Sequence, residues 1–234
     1  MNRVLPILFN TEMVRANLDG RKTCTRRLVK PQPDEKHTYP LGFVTDSTEK
    51  KEVGCFGFGI DEYGGSIKYV KPPYQPGDIL YVRETWGYPI ALNSDKQYVF
   101  RADEVAESGF KNDSHIWHPS IHMPKEAARI WLKVTDVRVE RLQDITADSI
   151  RNEGLSSLAV HCGDMEIALK EWENLWNSTI KKSDLDRYGW DANPWVWVIE
   201  FERCEKPEEK SPFAWNDAIN KMFETEQEGK RWED

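Results

Sequence analysis

The sequence predicts an α+β fold in which a β-rich domain carries a few short helices. Four segments rich in β-branched and aromatic residues are typical of strands: residues 4–9, 79–84, 127–142 and 194–201. Three other segments begin at a capping residue and repeat apolar side chains at helical spacing. Two long stretches, about residues 31–75 and 87–125, interrupt this order, and we interpret them as insertions. The first contains strand-like pieces at residues 53–60 and 67–70, whereas the second is irregular.

The first strand and helix lead directly to a basic segment. Residues 4–9 form a short apolar run, and Asn10 then starts a helix-capping sequence. Apolar residues recur at helical spacing up to Leu18, and Gly20 stands where a helix commonly ends. We therefore expect a short helix that delivers residues 21–27 to a defined place, with a loop at residues 20–23.

Two further strands follow the first insertion. The turn sequence at residues 75–78 precedes the strand at 79–84. In the long strand at 127–142, Leu132 and Val134 share one phase of the alternation, whereas Val137 takes the other. Because one extra residue reverses the face that each side chain occupies, we expect a β-bulge near Thr135 and Asp136.

The C-terminal half adds two helices, a final strand and a tail. Thr146 and Gly154 bound a short helix, and residues 164–179 predict a longer one. Its apolar face, which includes Ile167, is expected to pack against the sheet. The run at 194–201 is typical of a buried strand that completes a domain spanning residues 1–204. Residues 205–234 are expected to form a charged linker, a peripheral helix at about 212–223 and a polar tail.

The composition argues against a protein that coats nucleic acid. The chain of 234 residues carries a formal net charge of -8 and 39% hydrophobic residues. Non-specific affinity for nucleic acid comes from neutralising phosphates with Lys and Arg, which an acidic chain does poorly. The local basic stretch from Arg15 to Lys30 instead suits a small anionic or nucleotide-like ligand, or a short piece of RNA.

Other features indicate the compartment and the absence of cofactors. No apolar window approaches the length of a membrane span, and no secretory signal is evident, so we expect a cytoplasmic protein with no membrane partner. The cysteines are widely spaced and are expected to be reduced thiols: Cys24, Cys55, Cys162 and Cys204. Three histidines have a spacing that a metal could use, but bulky residues and prolines separate them, so we expect no metal and no cofactor: His115, His118 and His122.

Four motifs carry a family resemblance: LDGRKTCTRR at 18–27, PGDIL at 76–80, VTDV at 134–137 and WVIEF at 197–201. In these motifs the chain resembles the ASCH family of the PUA-like superfamily, over residues 4–203. The segments RETW at 83–86 and IHMP at 121–124 resemble its larger phage and prophage versions. The resemblance implies a PUA-like β-barrel with flanking short helices and two long insertions.

The resemblance also implies candidate catalytic residues. Small bacterial relatives remove the acetyl group from acetylcytidine with a Lys, a Thr and a Glu, which the motifs place at Lys22, Thr25 and Glu153. A hydroxyl nucleophile needs a neighbouring base to take its proton, and Lys22 can serve only when deprotonated, which burial beside Arg21 or Arg26 would favour. Glu153 would then orient Lys22 or pass a proton to the leaving amine.

Ordinary structural roles remain open for each of these residues. Lys22 and the neighbouring arginines suit a solvated basic face, Thr25 suits a strand, and a Glu such as Glu153 in the last turn of a helix is usually exposed. Candidate ligand-binding residues around the same pocket are Arg21, Arg26, Arg27, Arg83, Glu84, Trp86 and Trp117. For Trp86 and Trp117 the alternatives are stacking on a base and packing the insertions onto the domain.

The sequence thus leaves three functions open. The first is an enzyme that hydrolyses an amide on a modified nucleoside. The second is a non-catalytic module that binds a single-stranded or flipped base of RNA or DNA, with Arg21, Arg26 and Arg27 on phosphate and an aromatic side chain on the base. The third is a phage accessory protein whose insertions bind an unknown host protein.

Overall fold

The protein has the predicted α+β architecture, here seen in a computed structural model that describes residues 3–89, 97–104, 116–155 and 164–208. The strands are β1 (Val4–Leu8), β2 (Cys24–Leu28), β3 (Tyr39–Phe43), β4 (Phe56–Gly59), β5 (Ile67–Val70), β6 (Ile79–Arg83), β7 (Trp86–Gly87), β8 (Val99–Phe100), β9 (Trp131–Arg141) and β10 (Trp195–Cys204). The described α-helices are α1 (Thr11–Leu18), α2 (Ala147–Asn152), α3 (Met165–Ser178) and α4 (Leu185–Tyr188). The chain divides into two units, Met1–Cys204 and Glu205–Asp234, and the first contains all of these elements.

The main sheet has five strands in the order β1-β6-β9-β10-β2. β1 pairs in parallel with β6, whereas the other neighbours are antiparallel. The remaining strands form a three-stranded sheet, β3-β4-β5, and the β7-β8 pair. Within the described ranges these three sheets do not close into a barrel.

Strand β10 is buried on both faces, which explains its density of apolar residues. Trp197 and Ile199 face a core that includes β4 of the first insertion, where Phe56 meets Trp197 edge to face. Val196 and Val198 face the opposite core, beneath α2 and α3. Since burial of apolar surface drives folding, this central strand anchors both layers of the domain.

The helix caps agree with the sequence prediction. Asn10, Thr146 and Asp164 are the N-caps of α1, α2 and α3, and each side chain accepts a hydrogen bond from a backbone N–H in the first turn. Gly20 and Gly154 follow α1 and α2 with positive φ angles of 74° and 95°. Both helices therefore end where the sequence indicates.

The long strand shows both a confirmed and a wrong detail. In its pairing with β10, Asp136 and Val134 lie opposite Glu200 and Phe201, so Thr135 is the extra residue of the predicted bulge. The strand begins at Trp131 rather than at residue 127, because Lys125–Ala127 form a 3-10 turn. Residues held in such a turn are not extended and therefore do not pair with a neighbouring strand.

In the first insertion the predicted strand-like pieces at 53–60 and 67–70 contain β4 and β5, which form a sheet with β3 and bury Phe56 and Phe58. Two details differ from the prediction. Residues 24–28, which were not among the four predicted strands, form β2 because they pair with β10. Ile167, expected on the inner face of α3, is 51% exposed, and Ala168 takes the inner position.

The predicted peripheral helix at 212–223 lies outside the described residues. No helix in the described part of the chain combines the length and apolar composition needed to cross a lipid bilayer.

Candidate functional site

The end of α1 positions Lys22. The backbone N–H groups of Arg21 and Lys22 both donate to the carbonyl oxygen of Ala16, at 2.8 and 3.0 Å. The side-chain amide of Asn17 donates to the Lys22 carbonyl oxygen at 3.3 Å. The turn after Gly20 thus bends the chain back under the helix before β2 begins.

The end of α2 brings Glu153 to the same place. Thr23 donates its backbone N–H to the carbonyl oxygen of Asn152 at 2.8 Å, and Lys22 and Glu153 form an isolated antiparallel bridge. A Cβ atom at Gly154 would lie 2.7 Å from Cβ of Ala16. Only glycine permits so close an approach of the two helix ends, and its positive φ adds the same requirement.

Lys22 and Glu153 form a buried ion pair. Nζ of Lys22 lies 2.8 Å from Oε2 of Glu153, and the two side chains are 0% and 2% exposed. Nζ also donates to the carbonyl oxygens of Glu153 and Cys24, each at 2.9 Å. Three acceptors therefore match the three donors of the ammonium group.

Arg26 completes this cluster from the neighbouring strand. Its Nη1 lies 3.3 Å from Oε1 of Glu153, and its Nη2 lies 3.0 Å from Oε2 of Glu140. The side chain is 0% exposed, and its guanidinium lies 5.9 Å from the ring centre of Trp172. Arg26 therefore orients Glu153 from within the protein, whereas a direct contact with phosphate would require exposure.

Thr25 is also buried and is next to Arg26 in the sequence, but its side chain points to the other face of β2. Successive residues of a strand point to opposite faces, so Thr25 and Arg27 lie on the face opposite to Cys24 and Arg26. Thr25 is 1% exposed, and its hydroxyl forms no hydrogen bond with Lys22 or Glu153. A reaction at Thr25 would need the Lys22 amine to turn towards it.

The nearby thiol is not activated. Cys24 is buried next to α2, and its Sγ lies 4.0 Å from the carbonyl oxygen of Ser149. Burial, together with the negative charge of Glu153, raises the pKa of the Cys24 thiol to about 12. Because the thiolate is the nucleophilic form, Cys24 is not a nucleophile at neutral pH.

Arg21 and Arg27 lie at the border of the cluster. Arg21 is 36% exposed, pairs with Asp19 at 2.9 Å and donates to the carbonyl oxygen of Gly154. Arg27 donates to the carbonyl oxygen of Leu8 at 3.0 Å. Arg21 and Arg27 are both half-buried, so solvent reaches them better than it reaches the buried Arg26.

Glu84 and Arg83, two further predicted ligand residues, have partners outside this cluster. Glu84 is 1% exposed and accepts two hydrogen bonds from Arg129, each at 2.9 Å. Burial raises the pKa of Glu84, although the pairing with Arg129 acts in the opposite direction. Arg83 turns away and donates to the carbonyl oxygen of Ile121 at 3.1 Å.

The two candidate stacking residues differ in accessibility. Trp86 is 6% exposed and packs against Tyr98 and His118. It therefore packs the second insertion onto the domain, which was the alternative to stacking on a base. Trp117 lines a cavity of about 490 Å³ together with Phe100 and Arg129. The structure therefore brings Lys22, Glu153 and Arg26 into one cluster, places Thr25 on the face of β2 opposite to Arg26, and assigns Glu84, Trp86 and Trp117 to a separate group.

No metal site accompanies these groups in the part of the chain that is described. Its His, Cys, Asp and Glu side chains form no group of three or more that could hold a metal ion. His115, one of the three spaced histidines, lies outside the described residues.

Sequence reasoning missed Asn17, Arg129 and Glu140. Asn17 is 1% exposed and interrupts the apolar face of α1, and a polar residue at such a position is a signal that could have found it. Glu140 and Arg129 gave no such signal, because charged residues near a strand are normally solvated.

Comparison with known proteins gives no further assignment. No protein-family model matches this chain, and no curated protein and no solved structure matches it either.

Proposed function

We propose that this protein hydrolyses an amide bond on a modified nucleoside or base such as acetylcytidine. The observation that carries the proposal is the pairing of Lys22 with Glu153 across 131 residues of sequence, with both side chains nearly inaccessible. A buried ion pair contributes little net stability compared with apolar residues of the same volume. A chemical role is the simpler reason for burying two ionisable side chains that add so little net stability.

The proposal includes the finer fold assignment. A PUA-like barrel of the ASCH type is supported by the order of the elements: β1, α1, the LDGRKTCTRR segment, β6, β9, α2 and β10. Its expected pocket would lie where the end of α1 meets the end of α2. The contact between Lys22 and Glu153 is at that junction.

The chemistry begins with a proton transfer inside the ion pair. Glu153 takes a proton from Nζ of Lys22 along the 2.8 Å hydrogen bond, which leaves a neutral amine and a carboxylic acid. The amine then takes the hydroxyl proton of Thr25 while its oxygen attacks the acyl carbon of the substrate. This step needs the Lys22 side chain to turn from Glu153 towards Thr25, three residues further along the chain.

The remaining steps restore the starting state. The carbon–nitrogen bond breaks, and the Glu153 carboxylic acid donates its proton to the leaving amine. Water then attacks the acyl-threonine, so that the acid is released and the Thr25 hydroxyl forms again. One amide and one water thereby become one carboxylic acid and one amine, and the Lys22–Glu153 ion pair is regenerated.

A non-catalytic module for single-stranded RNA or DNA is the second candidate. Three tyrosines of the first insertion are exposed at 43%, 88% and 37% and could stack on bases: Tyr39, Tyr63 and Tyr69. Arg21 supplies an accessible cation for phosphate. In this case the Lys22–Glu153 pair would only hold α1 and α2 together.

The test is to incubate the purified protein with acetylcytidine and related acylated nucleosides and to measure cytidine release by mass spectrometry. Thr25→Val, which keeps the shape of the side chain, and Glu153→Gln should each lower the rate by at least about 100-fold. Lys133→Ala, an exposed lysine on β9, is the control and should leave the rate unchanged. Full activity of Thr25→Val would exclude Thr25 as the nucleophile.

Failure of the wild type to release cytidine from any of these substrates would reject the enzymatic proposal. Salt-sensitive binding of a short RNA by the same preparation would then favour the binding module, because phosphate contacts weaken as salt rises.

A further inference from the structure

The Lys22–Glu153 pair is one end of a continuous chain of alternating charges. After Glu153 come Arg26 and Glu140, and Nε of Arg138 then lies 2.6 Å from the other oxygen of Glu140. Exposure of the side chains rises along this order, from 0% at Arg26 to 23% at Glu140 and 37% at Arg138. The chain therefore connects the buried pair to the surface.

The register of the sheet sets the separation of these groups. Arg26 on β2 lies beside Val198 of β10, and Val198 lies beside Arg138 of β9. Glu140 is two residues further along β9, so its side chain shares the face of Arg138 and crosses β10 to reach Arg26. Because three paired strands hold these positions, the contact does not depend on a mobile loop.

The two oxygens of Glu153 are divided between two cations. Oε1 contacts Arg26 at 3.3 Å, and Oε2 contacts Lys22 at 2.8 Å. This division persists only if the guanidinium of Arg26 keeps its orientation. Within the described residues, Glu140 is the group that contacts Nη2 of that guanidinium, at 3.0 Å. The Nε–H of Arg26 is buried without a hydrogen-bond partner.

We propose that Glu140 is a positioning residue for the Lys22–Glu153 pair. It fixes the guanidinium of Arg26, which in turn keeps Oε1 of Glu153 occupied and presents Oε2 to Lys22. The catalytic part of this inference rests on the proposed function, whereas the positioning of Arg26 by Glu140 can be measured without it.

The experiment compares Glu140→Gln with Glu202→Gln. Glu202 is on β10 and is 60% exposed, and it pairs with Lys133 at 3.9 Å. Glu202→Gln is therefore a matched control, because it also removes one carboxylate but lies outside the chain of charges. The first measurement is the NMR signal of the Arg26 Nε–H group, assigned by its loss in Arg26→Lys. The second is the separate determination of kcat and KM for acetylcytidine.

We expect Glu140→Gln to broaden or shift the Arg26 signal and to speed its exchange with water, while Glu202→Gln leaves it unchanged. If the enzyme is active, kcat of Glu140→Gln should fall about 10- to 100-fold with KM within about twofold, because a misplaced catalytic group slows the chemical step.

The outcomes are distinguishable. An unchanged Arg26 signal in Glu140→Gln would overturn the proposal whatever the activity. A changed signal with an unchanged kcat would overturn the catalytic part. A changed signal in a protein that proves inactive would support the positioning of Arg26 and reject only the proposed function.

Discussion

Replacing Lys22 by Met tests the ion pair directly, because it removes the ammonium group and keeps a side chain of similar length. Loss of one partner of a buried pair leaves an uncompensated charge and costs about 3–5 kcal/mol of unfolding free energy. Arg26 still contacts Oε1 of Glu153, at 3.3 Å. We therefore expect the lower end, about 3 kcal/mol, which corresponds to a fall in Tm of about 6–12 °C for a chain of this size.

The double variant Lys22→Met with Glu153→Gln reveals whether the two residues interact. Removing both charges relieves the unpaired carboxylate, so the double variant should be more stable than the sum of the single variants predicts, by about 1–3 kcal/mol. Urea unfolding followed by tryptophan fluorescence measures each value. Single-variant costs that add to within about 0.5 kcal/mol would refute the idea of a coupled buried pair.

Two further predictions concern a close backbone approach and a second buried carboxylate. Gly154→Ala should lower the free energy of unfolding by about 2–4 kcal/mol, because φ is 95° and the new Cβ would lie 2.7 Å from that of Ala16. Gly65→Ala is the control: φ is 53° and the space is open, so the loss in the same assay should be only about 1–2 kcal/mol. Arg129→Leu should destabilise the protein by about 3 kcal/mol at pH 7 and by less at pH 5. Without Arg129 the already raised pKa of buried Glu84 rises further, and stability is lost as pH increases through that pKa. Equal losses at the two pH values, measured by thermal unfolding, would contradict this.

Local patterns were sufficient to predict most of the elements. The caps at Asn10, Thr146 and Asp164 are determined by hydrogen bonds within a single turn, and the bulge at Thr135 follows from a change of phase within one strand. Residues 24–28 were not among the four predicted strands, although a strand was the structural alternative left open for Thr25. Their strand conformation depends on pairing with β10, which short-range patterns do not encode.

At the candidate site, too, some features could be predicted from the sequence and others depend on long-range packing. Lys22 and Glu153 were selected through motif resemblance, and their buried contact depends on the meeting of the ends of α1 and α2. Trp86 and Glu84 were expected near the same pocket, but packing of the second insertion buries Trp86, and Glu84 pairs with Arg129.

By itself the sequence determined the α+β class and the helix boundaries, since periodicity and capping act over a few residues. The candidate lysine and glutamate came from a motif resemblance. Only the tertiary structure decided which charges meet: that Arg26 divides its guanidinium between Glu153 and Glu140, and that Gly154 lets α2 approach α1. The physical reason is that an apolar pattern specifies which face of an element is buried, whereas ion pairing and close packing depend on the position of residues more than a hundred places away in the chain.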